Sequence, residues 1–99
     1  MKYRVRVLRR AERDLLEIQR YIGRDSPEAA IRVIDGLLDA IESLDESPLR
    51  GVVPRDERLR NLGIRFLAVT PHLVFYKVVR REVRVYRVLH GKRAHEDIL

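Results

Sequence analysis

An α+β fold is predicted by three observations. Apolar residues alternate with charged ones at the start of the chain, and three runs rich in strand-forming residues follow in its last third. Two amphipathic helical stripes fill the first half, and only a few residues separate them. The expected arrangement is an N-terminal strand and a two-helix antiparallel hairpin packed on a small antiparallel sheet, within a single domain spanning residues 1–99. A chain of this length buries only about 60–65% of the surface its unfolded form exposes, so the core is expected to be small.

Tyr3, Val5 and Val7 alternate with Lys2, Arg4 and Arg6, the pattern of a strand with one buried face. From about Leu8 to Ile22, Ala11, Leu15, Ile18 and Ile22 fall on one helical stripe, and Gly23 supplies a stop. Asp25-Ser26-Pro27-Glu28 is a start signal, with a capping side chain ahead of a proline whose missing N–H costs nothing in the first turn. Ala30, Ile34, Leu37, Ile41 and Leu44 carry the second helix to about Glu46, and Ser47-Pro48 ends it. Leu49 to Asn61, with Gly51, Pro54 and many charges, has no apolar period and reads as a loop. Ile64 to Val69, Leu73 to Val79 and Val83 to Leu89 are rich in strand-forming residues, and the short Thr70-Pro71 and Arg80-Arg81-Glu82 connections make them an antiparallel meander.

The net charge of +6 is unevenly placed: residues 1–47 sum to −1 and residues 48–99 to +7. Such asymmetry points to a polyanion or an acidic protein partner for the second half. Helix two carries Glu28, Asp35, Asp39, Glu42, Asp45 and Glu46 against one Arg32. That acidic strip repels nucleic acid, so a polyanion is expected on the sheet and C-terminal side. No apolar run is long enough to span a bilayer, and no h-region follows the basic start. With no cysteine in the chain, disulfide and thiolate chemistry are excluded, which fits a cytoplasmic location.

The densest functional signal is Val83 to Arg93, where Arg87, His90, Lys92 and Arg93 fall within seven residues around Gly91. Arg87 interrupts an apolar face shared with Val83, Val85 and Leu89, so its guanidinium needs a partner or a route to solvent, and Arg65 is a candidate neighbour across the sheet. His90 has a plain structural reading as a cap on the strand end, while Tyr76 and Tyr86 suit strand packing. Lys2, Arg4 and Arg6 read as the exposed side of an edge strand. His72, His90 and His95 lack metal-ligand spacing, and no phosphate-binding glycine motif or nucleophile elbow occurs, so neither metal nor cofactor is expected.

Several residues taken together, in order and at the right spacing, resemble one family. They are Ala11 with Asp14-Leu15 and Tyr21-Ile22, Pro27 and Ala30, Leu73-Val74-Phe75-Tyr76, and Arg87-Val88-Leu89-His90-Gly91-Lys92-Arg93. Over nearly its whole length the chain is similar to the ParE/RelE superfamily of bacterial type II toxins. The resemblance implies a toxin with a cognate antitoxin whose C-terminal segment wraps it as helix and strand. ParE-like members inhibit DNA gyrase, and RelE-like members cut mRNA in the ribosome with several basic side chains and often a C-terminal tyrosine. Set on the RelE-like glycine-lysine-arginine, Arg93 matches a catalytic arginine, but the tyrosine position falls on Leu99. The other basic positions fall on Ile64, Phe66 and Leu73, and Arg65 reaches one of them only by a one-residue shift that turns it to the other face. The expectation is therefore a ParE-like gyrase inhibitor, with Tyr76, Arg87, Lys92 and Arg93 as partner contacts. The alternatives are a RelE-like endonuclease, with Arg65, Arg87, His90 and Arg93 catalytic, and a non-toxic binding module of the same fold.

Overall fold

The computed structural model describes residues 2–93, the last of them by its backbone alone. Strand β1 (Arg4–Val7) leads into helix α1 (Arg9–Gly23), a short turn and helix α2 (Pro27–Glu42), which tightens into a 3₁₀ turn over Ser43–Asp45. Helix α3 (Glu57–Asn61) precedes the strands β2 (Ile64–Val69), β3 (His72–Val79) and β4 (Glu82–His90), and a 3₁₀ turn covers Gly91–Arg93. The start of α2 follows its signal: the Ser26 hydroxyl accepts from Ala29 N–H at 3.2 Å, with Pro27 in the first turn. Helix α1 ends at Gly23 as expected, though without a left-handed cap: Arg24 keeps right-handed geometry with its N–H on Arg20 O. The acids at the end of α2 meet Lys2, whose Nζ stands 3.9 Å from both Asp45 and Glu46.

The sheet runs β1-β4-β3-β2. The meander β2-β3-β4 is antiparallel as expected, but β1 joins β4 in parallel, so the sheet is mixed. The helix hairpin packs on one face, where Ala11, Leu37, Ile41 and Leu44 bury Val74, Tyr76, Val83, Val85 and Val88. The second face is half apolar, with Ile64, Phe75 and Leu89 around Leu59 of α3. That short helix is the main departure from the expected loop. Asp56 Oδ1 accepts from the N–H groups of Arg58 and Leu59, and Leu59 is buried. Five residues are too few to show a helical period, which is why pattern alone misses them.

A register shift between β3 and β4 resets the faces of β4. Phe75 pairs with Arg87 and Tyr76 with Val85, leaving Tyr86 without a cross-strand partner. Beyond this bulge Val88 joins Val83 and Val85 under the hairpin, while Leu89 turns to the second face. Strict alternation had placed Leu89 with Val85. One inserted residue reverses that parity. No helix among the described residues is long and apolar enough to cross a membrane.

Candidate functional site

Arg87 is held where α1 crosses β4. Its Nε donates to Asp14 Oδ2 at 2.8 Å and its Nη2 to Asp14 Oδ1 at 3.1 Å, a bidentate pair with both side chains buried. Asp14 Oδ2 also accepts from Val88 N–H at 2.9 Å, which supports the backbone just past the bulge. The sequence required a partner for Arg87, and the structure supplies Asp14 rather than Arg65. Asp14 lies on the same helical stripe as Ala11 and Ile18, so an acid within an apolar stripe was the available signal.

Arg65 cannot be the neighbour of Arg87, because β3 separates their strands. It sits beside Tyr76 on the hairpin side of the sheet and donates through Nη1 to Gly51 O at 3.1 Å and to Leu49 O at 3.3 Å. Tyr76, expected among the partner contacts, has no exposed surface. Its hydroxyl accepts from Gly51 N–H at 2.9 Å, and burial pushes its phenol pKa up, with the Gly51 bond and then Arg65 and Arg50 opposing. Tyr76 and Arg65 together pin the Gly51 loop to the sheet, whose outer edge also pairs with Val52 through Phe66. Sequence reasoning missed this clamp. An isolated glycine amid polar residues looks like any loop glycine.

His90 takes its structural role, with Nδ1 accepting from Lys92 N–H at 3.2 Å. Lys92 is exposed. The side chain of Arg93, together with His95 and Leu99, lies outside the described residues. His72 faces His90 across the strands, with ring centroids 5.8 Å apart, edge to face. Only 6% of His72 is exposed, and its Nδ1 has no hydrogen-bond partner among the described residues. These side chains line a cleft of about 950 Å³ between α1 and the ends of β3 and β4, with Arg10, Tyr21 and Lys92 at its rim.

Burial first, and then His90, lower the pKa of His72 below 6.5. The folded state thus binds fewer protons than the unfolded one. The stability held by neutral His72 is complete above about pH 6.5 and is lost as pH falls below that value through the folded pKa. Denaturant titrations from pH 7 to pH 5 should show stability falling in this window, with a shallower slope in His72→Gln. Equal slopes in the two proteins would remove His72 as the cause.

Ile64, Phe66 and Leu73, which the resemblance to RelE-like toxins sets at basic positions, share the second face of the sheet with Leu59, Phe75 and Leu89. Ile64 is buried, and the Phe66 and Phe75 rings lie 5.9 Å apart. Arg65 points to the opposite face, as a one-residue offset requires. Of the expected nuclease set, Arg65 stands apart, clamped on Gly51, while Arg87, paired with Asp14, and His90, capping its own strand, line the same cleft. Among the described residues no group of acids and histidines is placed to hold a metal ion.

Residues 5–95 match the family described as the ParE toxin of the type II toxin-antitoxin system parDE. A putative toxin, Y4kP of Sinorhizobium fredii, is 33% identical over 96 residues, which is 97% of this chain and 96% of the relative. Toxin RelE2 of Caulobacter vibrioides is 39% identical over 85 residues, covering 85% of this chain and 90% of the relative. Among solved structures, a chain of the chromosomal ParDE system of P. aeruginosa superposes with a TM-score of 0.74 at 21% identity, over 90% of this chain and 96% of that one. A chain of the RelBE2 toxin-antitoxin complex of Mycobacterium tuberculosis gives 0.63 at 25% identity, over 91% and 99%.

Proposed function

The chain belongs to the ParE toxin family of type II toxin-antitoxin systems, within the ParE/RelE superfamily, and from that premise we propose that it arrests growth by binding and inhibiting DNA gyrase. The names among its relatives and solved neighbours fall on both sides of the superfamily, so the chemistry of the site carries the choice. The supporting observation is the apolar second face at Ile64, Phe66 and Leu73. Cleaving a phosphodiester needs groups that move protons and stabilise the anionic transition state. Here that surface carries packed hydrocarbon, and Arg65 and Arg87, on the hairpin side of the sheet, bond to carbonyl and carboxylate partners.

The proposed neutralising partner is a cognate antitoxin with an acidic C-terminal segment. Both solved neighbours come from toxin-antitoxin systems. The outer edge of β1 supports strand addition, since the N–H groups of Arg4 and Leu8 bond toward β4 and the alternation of a strand turns those of Val5 and Val7 to the open edge. Leu16 of α1 and Ile31 and Leu38 of α2 are exposed apolar residues on the hairpin that suit the packing of a partner helix. Association should be fast and sensitive to salt, given the +7 half.

Tightly controlled expression tests the target. The expected result is growth arrest with a DNA-damage response and intact mRNA, and inhibition of gyrase supercoiling by the purified chain. Cleavage of mRNA at ribosome-dependent positions without DNA damage would replace this reading with the endonuclease. Unimpaired growth would leave a non-toxic binding module.

A further inference from the structure

The second face of the sheet is divided. Beside its apolar half, β1, β4 and β3 carry a row of cations: Arg6 lies opposite Arg84, and Arg84 opposite Lys77. Arg4 stands one step along, opposite Glu82, and the β3-β4 turn adds Arg80 and Arg81. Glu82 is the acid among them, 2.6 Å from Arg84 Nε and 3.8 Å from Arg6 Nη1. Arg4, Arg6, Lys77, Arg80, Arg81 and Arg84 against Glu82 leave a net +5 on one patch.

This arrangement works against the fold. Like charges directly opposite on neighbouring strands repel. Arg80 also holds φ at 58°, a left-handed conformation that glycine or asparagine takes more easily in a hairpin turn. Two local rules are broken at one patch without any gain in packing, and Arg6 and Arg80 remain exposed. Strain and repulsion concentrated at a surface point to use by a ligand.

We propose that this patch binds the phosphate backbone of duplex DNA, independently of base sequence. Strands about 4.8 Å apart set the cations in a flat array, and a duplex presents a charge every 1.7 Å or so along its axis. Single strands are gripped by stacking on exposed aromatic rings, and none of the rings here is fully exposed: Tyr3, beside Arg81, and Tyr86 are half-buried, Phe75 is buried, and Phe66 packs on Phe75. The exposed acids of α2 ride on the hairpin that covers the opposite face, so DNA is directed to the arginines. The inference goes beyond gyrase inhibition and does not rest on it.

Fluorescence anisotropy with the full chain and a labelled 24-base-pair duplex of arbitrary sequence tests the proposal. Neutralising about four phosphates gives a log-log salt slope near −3.6, so affinity should fall roughly 150-fold between 50 and 200 mM NaCl. The triple variant R6Q/R80G/R81N removes three charges, puts residues suited to the turn at Arg80 and Arg81, and should keep its melting temperature. It is expected to bind at least tenfold more weakly at 50 mM salt, with a slope reduced by about 2.7. Unchanged affinity and slope in that folded variant would overturn the proposal, as would absence of binding by the parent. Tighter binding to single-stranded RNA would assign the patch to RNA, and equal binding to polyglutamate would assign it to an acidic protein; either outcome overturns the DNA assignment.

Discussion

Asp14→Ala is expected to lower the unfolding free energy by roughly 3–5 kcal/mol, because it removes the bidentate Asp14 carboxylate from the buried Arg87 guanidinium and the acceptor of Val88 N–H. That is a large share of the ~5–15 kcal/mol that holds a domain of this kind together. The melting temperature should drop by more than about 10 °C. Replacing both members by apolar residues of similar size, as in D14L/R87M, should recover most of the loss, since the pair's attraction is largely offset by its desolvation. The double variant also separates structure from recognition. If Arg87 only braces α1 against β4, D14L/R87M will still arrest growth. A folded double variant without toxicity would place Arg87 in target binding. A cost below about 1 kcal/mol for Asp14→Ala would contradict the burial of the pair altogether.

Gly51→Ala is expected to cost about 1–3 kcal/mol. A Cβ at this position would come within 2.8 Å of the Tyr76 ring and 2.9 Å of Phe66 O, and neither can yield, since Tyr76 is fully buried and Phe66 O already accepts from Val52 N–H. Tyr76→Phe attacks the same clamp from the other side. It deprives Gly51 N–H of its buried acceptor, again at about 1–3 kcal/mol. Because both changes break one contact, the double variant should cost less than the sum of the singles. Chemical denaturation of the four proteins measures this directly. Additive losses would mean that Gly51 and Tyr76 act separately.

Much of the fold was legible because its elements announce themselves locally. The 3.6-residue stripes of α1 and α2, the Ser26-Pro27 cap and the alternation in the strands are short-range signals. What escaped has a common origin in contacts between distant parts of the chain. Helix α3 rests on one buried leucine and an aspartate cap, too little to register as a period. The parallel docking of β1 depends on which strand its edge meets. The bulge at Tyr86 depends on β3 holding register on both sides of it.

The candidate site divides in the same way. A guanidinium at position 87 on an apolar strand face demands a partner, and the apolar residues at 64, 66 and 73 already argue against a cationic cleavage site on that surface. The first conclusion needs only residue types and the two-residue period of a strand; the second rests on what the resemblance to RelE-like toxins implies. The identity of Arg87's partner did not follow from them, because Asp14 is 73 residues away and a helix crossing sets their meeting. Nor did the burial of Tyr76 or the row formed by Arg6, Arg84 and Lys77, which exists only once register aligns three strands. By itself the sequence determined the elements, the faces they bury, the charge asymmetry and the resemblance to a toxin superfamily. Tertiary structure decided which charges are spent inside and which are left to a ligand, because pairing and desolvation act between groups that only folding brings within reach.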